Sequence, residues 1–180
     1  MTLPNIITIF RIILIPIYLF IFFSEVENKV FILGMIFMIA GASDVLDGYI
    51  ARRFNLESKL GAALDPFADK MMSFTVLITF TIIGLIPIWI LIPMVVKEIV
   101  MIGGGLILYT KHGKAVIPSK KYGKVATFSL YAAVLSIILN LNMSLSVILL
   151  SITVILNLVA FYNYLNIFKK LLNDEKAGRV

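Results

Sequence analysis

The sequence predicts an all-α integral membrane protein with six transmembrane helices and a cytoplasm-facing active-site cleft. Three observations carry that prediction. Of 180 residues, 61% are hydrophobic and only 14% are charged, whereas soluble domains are roughly half apolar and a quarter charged. Mean hydropathy is +1.03, too much apolar surface for one soluble core to bury. The apolar residues fall in six runs close to the ~20 residues a bilayer span requires. Acidic residues then recur inside those runs at helical spacing, where each is costly unless it serves a site. The whole length, 1–180, reads as a single transmembrane domain with no room for a second, soluble one.

Taken in order, the first run is Ile6–Phe23. It holds Arg11 and lacks the small-residue cleavage pattern of a signal peptide, so it reads as a span. The second, Val30–Tyr49, carries Asp44 and Asp47 near its end. The third, Leu60–Ile86, carries Asp65 and Asp69 near its start and is long enough to begin outside the bilayer and tilt. The fourth, Ile88–Tyr109, contains Lys97, Glu98 and the run Gly103-Gly104-Gly105. Small residues of that kind let helices approach closely in membranes. The fifth and sixth are Val125–Leu141 and Leu145–Phe168. Backbone in lipid must satisfy its own hydrogen bonds, so each run is expected to be a helix. No internal repeat of the transporter kind is present.

The connections set the orientation. Twelve of the 16 Lys and Arg residues follow even-numbered spans: Arg52, Arg53 and Lys59; Lys111, Lys114, Lys120, Lys121 and Lys124; Lys169, Lys170, Lys176 and Arg179. The opposite connections hold Lys29 beside Glu25 and Glu27, and the near-neutral Gly84–Pro87 and Asn140–Ser144. Basic short loops stay inside, which places both termini in the cytoplasm. The net charge of +6 therefore belongs to span ends and argues against nucleic-acid binding. The absence of cysteine excludes disulfides, thiolate ligands and cysteine nucleophiles. Trp89 and Pro87 suit the outer interface, Tyr109, Tyr162 and Tyr164 the inner one, and His112 a solvated loop.

The acids hold the chemistry. Asp44 and Asp47 are three apart and Asp65 and Asp69 four apart, spacings that share a helix face. A short cytoplasmic connection makes the two spans neighbours, so four carboxylates meet at about one depth. They cannot all stay ionised there without protonation, basic partners or bound cations. Arg11, Arg52 and Lys70 are the candidate partners. Oxygen-only ligation suits Mg²⁺ or Mn²⁺, and Mg²⁺ is commonly shared with substrate phosphates. Paired ions stabilise attacking and leaving oxygens in phosphoryl displacement. Buried ion pairs that merely hold helices together are the bland alternative, and they leave the cost of charge in a membrane unexplained. Gly48, Ala51 and Gly61 lie among the acids and leave room for a close-fitting ligand.

Asp44-Val-Leu-Asp47-Gly48-Tyr-Ile-Ala51-Arg52, eight residues, then Gly61-Ala-Ala-Leu-Asp65-Pro-Phe-Ala-Asp69 fits the pattern D-x2-D-G-x2-A-R-x8-G-x3-D-x3-D at every fixed position. The chain thus resembles the CDP-alcohol phosphotransferases. That resemblance implies attack by an alcohol on the lipid-linked phosphate of a CDP-activated donor, with CMP leaving. It implies two divalent ions, Mg²⁺ or Mn²⁺, on Asp44, Asp47, Asp65 and Asp69, with Asp69 as general base. It implies a donor site of Asn5, Thr8, Arg11, Asp44, Gly48, Ala51, Arg52, Gly61 and Asp65. The stretch Pro4-Asn5-Ile-Ile-Thr8-Ile-Phe-Arg11 and the segment Gly123-Lys124-Val-Ala-Thr127 resemble the branch that makes phosphatidylglycerophosphate. The implied substrates are CDP-diacylglycerol and glycerol 3-phosphate, in a homodimer of the bacterial inner membrane.

An anionic acceptor calls for cationic partners, and the candidates are Lys97, Lys120, Lys121 and Lys124, with Thr127. Lys120 and Lys121, with Lys111 and Lys114, also read as anchors to anionic lipid. Arg11 reads either as a snorkelling side chain or as a partner of donor phosphate. Lys97 stands where that branch often has Arg, and lacks the bidentate fork. This leaves phosphatidylglycerol, giving cardiolipin, or an inositol phosphate as alternative acceptors. Lys97 and Glu98 are adjacent and do not share a helix face, which predicts no ion pair between them. An ion or proton transporter is the reading of another class, since intramembrane acids also form relays; these acids cluster at one depth, with no charged path outward. A pure scaffold gives no reason for the fixed spacings.

Overall fold

The computed structural model describes residues 3–54, 59–112 and 121–176, of which the side chains at 3–4, 52, 59–63, 66, 105–112, 121–122, 124 and 170–176 are left aside. The described residues form six helices: α1 Leu3–Phe23, α2 Lys29–Phe54, α3 Lys59–Ile82, α4 Ile88–His112, α5 Lys121–Ile138 and α6 Met143–Lys176. Each expected span has its helix, and no strand occurs among the described residues. Three helical stretches, Asn5–Phe23, Lys29–Ala51 and Met143–Lys169, are long and apolar enough to cross a membrane, and Val125–Ile138 is a shorter apolar one. Phe20, Val45 and Phe128 are exposed by 70% or more, a surface that suits hydrocarbon rather than water.

Helix ends depart from the apolar runs in two directions. The third run was expected to stay helical to Ile86, yet α3 stops at Ile82. Gly84 takes φ +80°, its N–H donates to the Thr81 carbonyl (3.0 Å), and the Leu85 N–H donates to the Phe80 carbonyl (2.8 Å). This is a Schellman closure, which uses up orphan carbonyls at a helix end. Asn140, φ +50°, closes α5 in the same way: its own N–H reaches Ile137 (3.0 Å) and that of Leu141 reaches Ser136 (3.0 Å). The following apolar residues prolong the hydrophobic run without prolonging the helix. At the basic ends the helices overrun instead, α2 to Phe54, α4 to His112 and α6 to Lys176. No Gly or Pro interrupts them there, and Lys, Arg, Leu and Glu are good helix formers.

The chain divides into two compact units, 1–86 with 134–143, and 87–133 with 144–180. In the first, α1 packs on both α2 and α3. Tyr18, fully buried, lies 2.7 Å from the Thr79 hydroxyl. That hydroxyl already donates to the Thr75 carbonyl (2.8 Å), so the phenol is the donor. Gly34 lets α2 approach the end of α5: a Cβ there would overlap Ile138 Cγ2 and lie 3.1 Å from its Cβ. In the second unit, Ser129, Thr153 and Asn157 are buried polar residues on α5 and α6.

Candidate active site

Asn5, Thr8 and Arg11 recur at three-residue intervals on α1, so they share a face. All three are buried, Arg11 to 2% exposure. That face receives the acids. The Arg11 Nη1 group donates to Asp44. Its Nη2 group donates to Asp47 Oδ2 at 2.9 Å and to Asp65 Oδ1 at 3.2 Å. Thr8 Oγ1 donates to the same Asp65 oxygen at 2.5 Å. The expectation that carboxylates of the second and third spans meet is thus met by three of the four, on one guanidinium. Of the candidate basic partners, Arg11 lies among them.

The cluster is asymmetric. The Asp47 side chain is 3% exposed, whereas Asp44 and Asp65 are 41% and 37% exposed. Asp47 therefore depends on Arg11 for compensation, while the other two reach solvent. Arg11 Nε is buried without a hydrogen-bond partner among the described residues, so the guanidinium is held by its two terminal nitrogens. Asp69 is half-buried, one turn beyond Asp65 on α3. Gly48 and Ala51 continue α2 past Asp47 and are half-buried. The side-chain surroundings of Arg52, Gly61, Lys121 and Lys124 lie outside the described residues, and Lys120 does so entirely.

Three carboxylates carry more negative charge than one guanidinium offsets, and all their donors are oxygen. That donor set fits a hard divalent cation. As the side chains stand, no three acidic or imidazole groups among the described residues are close enough to enclose one ion, because the guanidinium lies between the carboxylates. Asp44 and Asp65, open to solvent, are the two best placed to take an ion.

In the second unit the structure corrects the sequence reading of Lys97. Adjacency was expected to keep Lys97 and Glu98 apart, but Lys97 Nζ lies 2.6 Å from Glu98 Oε1. Both residues are 7% exposed. Without water to solvate the charges, two long side chains bend round the helix to meet, where a solvated pair would diverge. Lys97 Nζ also donates to Asn157 Oδ1 on α6 at 2.6 Å. Tyr164 is 7% exposed and donates to the Met101 carbonyl at 3.0 Å. It covers Gly104, where a Cβ would lie 2.7 Å from its hydroxyl. Tyr162 is exposed. Thr127 Oγ1 donates to the Gly123 carbonyl at 3.1 Å, which leaves its lone pairs to accept.

Asn157 is the polar residue that sequence reasoning passed over. Its signal was present: an amide inside an apolar run, four residues after Thr153 and so on the same face.

The family model described as CDP-alcohol phosphatidyltransferase matches residues 1–159. A Haemophilus influenzae protein named CDP-diacylglycerol–glycerol-3-phosphate 3-phosphatidyltransferase is 33% identical over 178 residues, 96% of each chain. An Escherichia coli protein of that name is 42% identical over 69 residues, 38% of each chain. A Mycobacterium tuberculosis protein named "Putative cardiolipin synthase" is 33% identical over 140 residues, 78% of this chain; the match spans 66% of that relative's length.

Proposed function

The chain belongs to the CDP-alcohol phosphatidyltransferase family, and on that premise we propose that it transfers the phosphatidyl group of CDP-diacylglycerol to glycerol 3-phosphate. The observation that carries the proposal is the meeting of Asp44, Asp47 and Asp65 on Arg11, with Thr8 on Asp65. These are the family motif and the amino-terminal stretch brought into one cluster. The near end-to-end likeness to the Haemophilus relative supports the acceptor.

In this reading the glycerol hydroxyl oxygen attacks the phosphorus that bears diacylglycerol. A P–O bond forms to the acceptor, the P–O bond to the CMP phosphate breaks, and CMP leaves with that electron pair. Asp69 takes the hydroxyl proton, a role that needs reach to the hydroxyl and a suitably tuned pKa. Asp44, Asp47, Asp65 and Asp69 would hold two divalent ions, Mg²⁺ or Mn²⁺. When bound, such ions neutralise the diphosphate and the leaving oxygen. Asn5, Thr8, Gly48, Ala51, Arg52 and Gly61 would line the donor site, while Arg11 orients the acids. Lys97, Lys120, Lys121, Lys124 and Thr127 would face the acceptor phosphate.

The same reading takes all six helices as spans of one domain, 1–180, with the acids in a cleft open to the cytoplasm and both termini on that side. The membrane would be the bacterial inner membrane and the assembly a homodimer. The basic connections support the orientation, and the bacterial relatives support the membrane. The mycobacterial relative favours one second reading, with phosphatidylglycerol as acceptor.

CMP release by the purified, detergent-solubilised chain with CDP-diacylglycerol and Mg²⁺ tests this. Release that depends on glycerol 3-phosphate is expected. Release with phosphatidylglycerol in its place would move the acceptor to the second reading, and no release with any alcohol would overturn the proposal and reopen the transporter reading.

A further inference from the structure

The second unit contains a buried polar chain that links three helices. Lys97 on α4 meets Glu98 at 2.6 Å and Asn157 Oδ1 on α6 at 2.6 Å. The Asn157 amide nitrogen donates to the Thr153 carbonyl at 2.9 Å, which fixes which way the amide faces. One turn back along α6, the Thr153 hydroxyl lies 2.7 Å from Ser129 Oγ on α5 and donates to the Leu149 carbonyl at 2.9 Å. Ser129 Oγ also reaches the Leu149 carbonyl, at 3.3 Å, so either hydroxyl can be the donor of the pair. Every member is at most 8% exposed. Helix α6 thus grips α4 at Lys97 and α5 at Ser129, two residues beyond Thr127.

A lysine stem has four rotatable bonds, and its ammonium is a point charge without a fixed fork. Aiming it takes acceptors fixed to another element. Glu98 cannot do this alone, because it rides on the same helix as Lys97. Asn157 can, because its own orientation is locked by the Thr153 carbonyl.

We propose that Asn157 is a positioning residue: it aims the Lys97 ammonium at the phosphate of the acceptor, and α6 thereby sets the placement of Lys97 relative to Thr127. This rests on the assignment of Lys97 to the acceptor phosphate in the proposed function. Asn157 touches no reacting atom, and its effect is confined to acceptor affinity.

The test is steady-state CMP release by the full chain, with each substrate varied in turn. Asn157→Leu keeps the branching and the number of side-chain heavy atoms and removes the amide. It should raise the KM for glycerol 3-phosphate about tenfold, the factor that corresponds to one lost hydrogen bond to a charged group. It should leave kcat and the KM for CDP-diacylglycerol within about twofold, a change small against that loss. Asn157→Gln restores an amide oxygen and should recover most of the lost affinity; a residue that only filled space would not show that split or that rescue. Should leucine prevent folding, Asn157→Ser, too short to reach Lys97, carries the same expectation. Lys97→Met separates the two claims. If it raises the acceptor KM while both Asn157→Leu and Asn157→Ser leave it unchanged, the role of Asn157 is overturned and the proposed function stands. If Lys97→Met leaves the acceptor KM unchanged, the placement of Lys97 fails, and the inference fails with it.

Discussion

Arg11 offers the sharpest test of how the first unit is held together. Arg11→Met removes the guanidinium and keeps an unbranched apolar stem of similar reach. Three ion pairs are lost, but they do not weigh equally. Asp44 and Asp65 are 41% and 37% exposed, so water takes over much of their solvation. Asp47 is 3% exposed and loses its 2.9 Å partner. The cost therefore follows Asp47. Removing one partner of a buried ion pair costs about 3–5 kcal/mol. The lower end, about 3 kcal/mol, applies here, because deleting the arginine also relieves its desolvation and its unpaired Nε. Equilibrium unfolding of the purified chain in mixed micelles measures this, within a cycle that includes Asp47→Asn. In the Arg11→Met background, Asp47→Asn should restore about 1–3 kcal/mol. Strict additivity of the two substitutions, or an Arg11→Met chain as stable as the parent, would refute the reasoning.

Other outcomes follow from the same geometry. Asp69→Asn should reduce CMP release by at least about a hundredfold, the usual scale of general-base catalysis. It should leave much of the binding of the CDP-activated donor, read by isothermal titration; near-parental turnover would remove the general-base role. Chelator should abolish activity, and Mg²⁺ or Mn²⁺ should restore it. Without substrate, Mg²⁺ at a hundred times its Kd should stabilise the chain by about 2.7 kcal/mol, an effect that Asp44→Asn should blunt in a thermal-unfolding assay. Gly34→Ala should cost about 1–3 kcal/mol through overpacking against Ile138. Pairing it with Ile138→Ala, which removes the overlapped Cγ2, should recover much of that loss.

Much of this was legible because membranes make simple rules strict. Six apolar runs became six helices, the form in which a backbone satisfies its own hydrogen bonds. The spacing of Asp44, Asp47 and Asp65 foretold their meeting, while Asn5, Thr8 and Arg11 were singled out only by the resemblance of their stretch to the family's. What stayed hidden turns on terminal geometry and on depth. Nothing in hydropathy distinguishes Leu85 or Leu141 from the helix before it, because a Schellman turn depends on one residue with positive φ. The pairing of Lys97 with Glu98 defied a rule drawn from solvated helices. Asn157 and Thr153 drew no reading from the sequence, and such residues usually satisfy themselves on their own helix.

Arg11 also has a bearing on how the chain is made. It enters the membrane 33 residues before Asp44 and 54 before Asp65. An unpartnered arginine at the centre of a span raises the cost of insertion by about 2.5–3.5 kcal/mol, and the isoleucine-rich remainder of α1 must carry that cost until the acids arrive. In the proposed reading that takes all six helices as spans, the two later helices bring charges that are equally unwelcome in lipid alone. Each of the three is thus a poorer passenger singly than together, and this favours their leaving the translocon as one assembled group. A split between α1 and α2 by genetic fission would then leave two fragments that each carry a charge whose complement lies on the other.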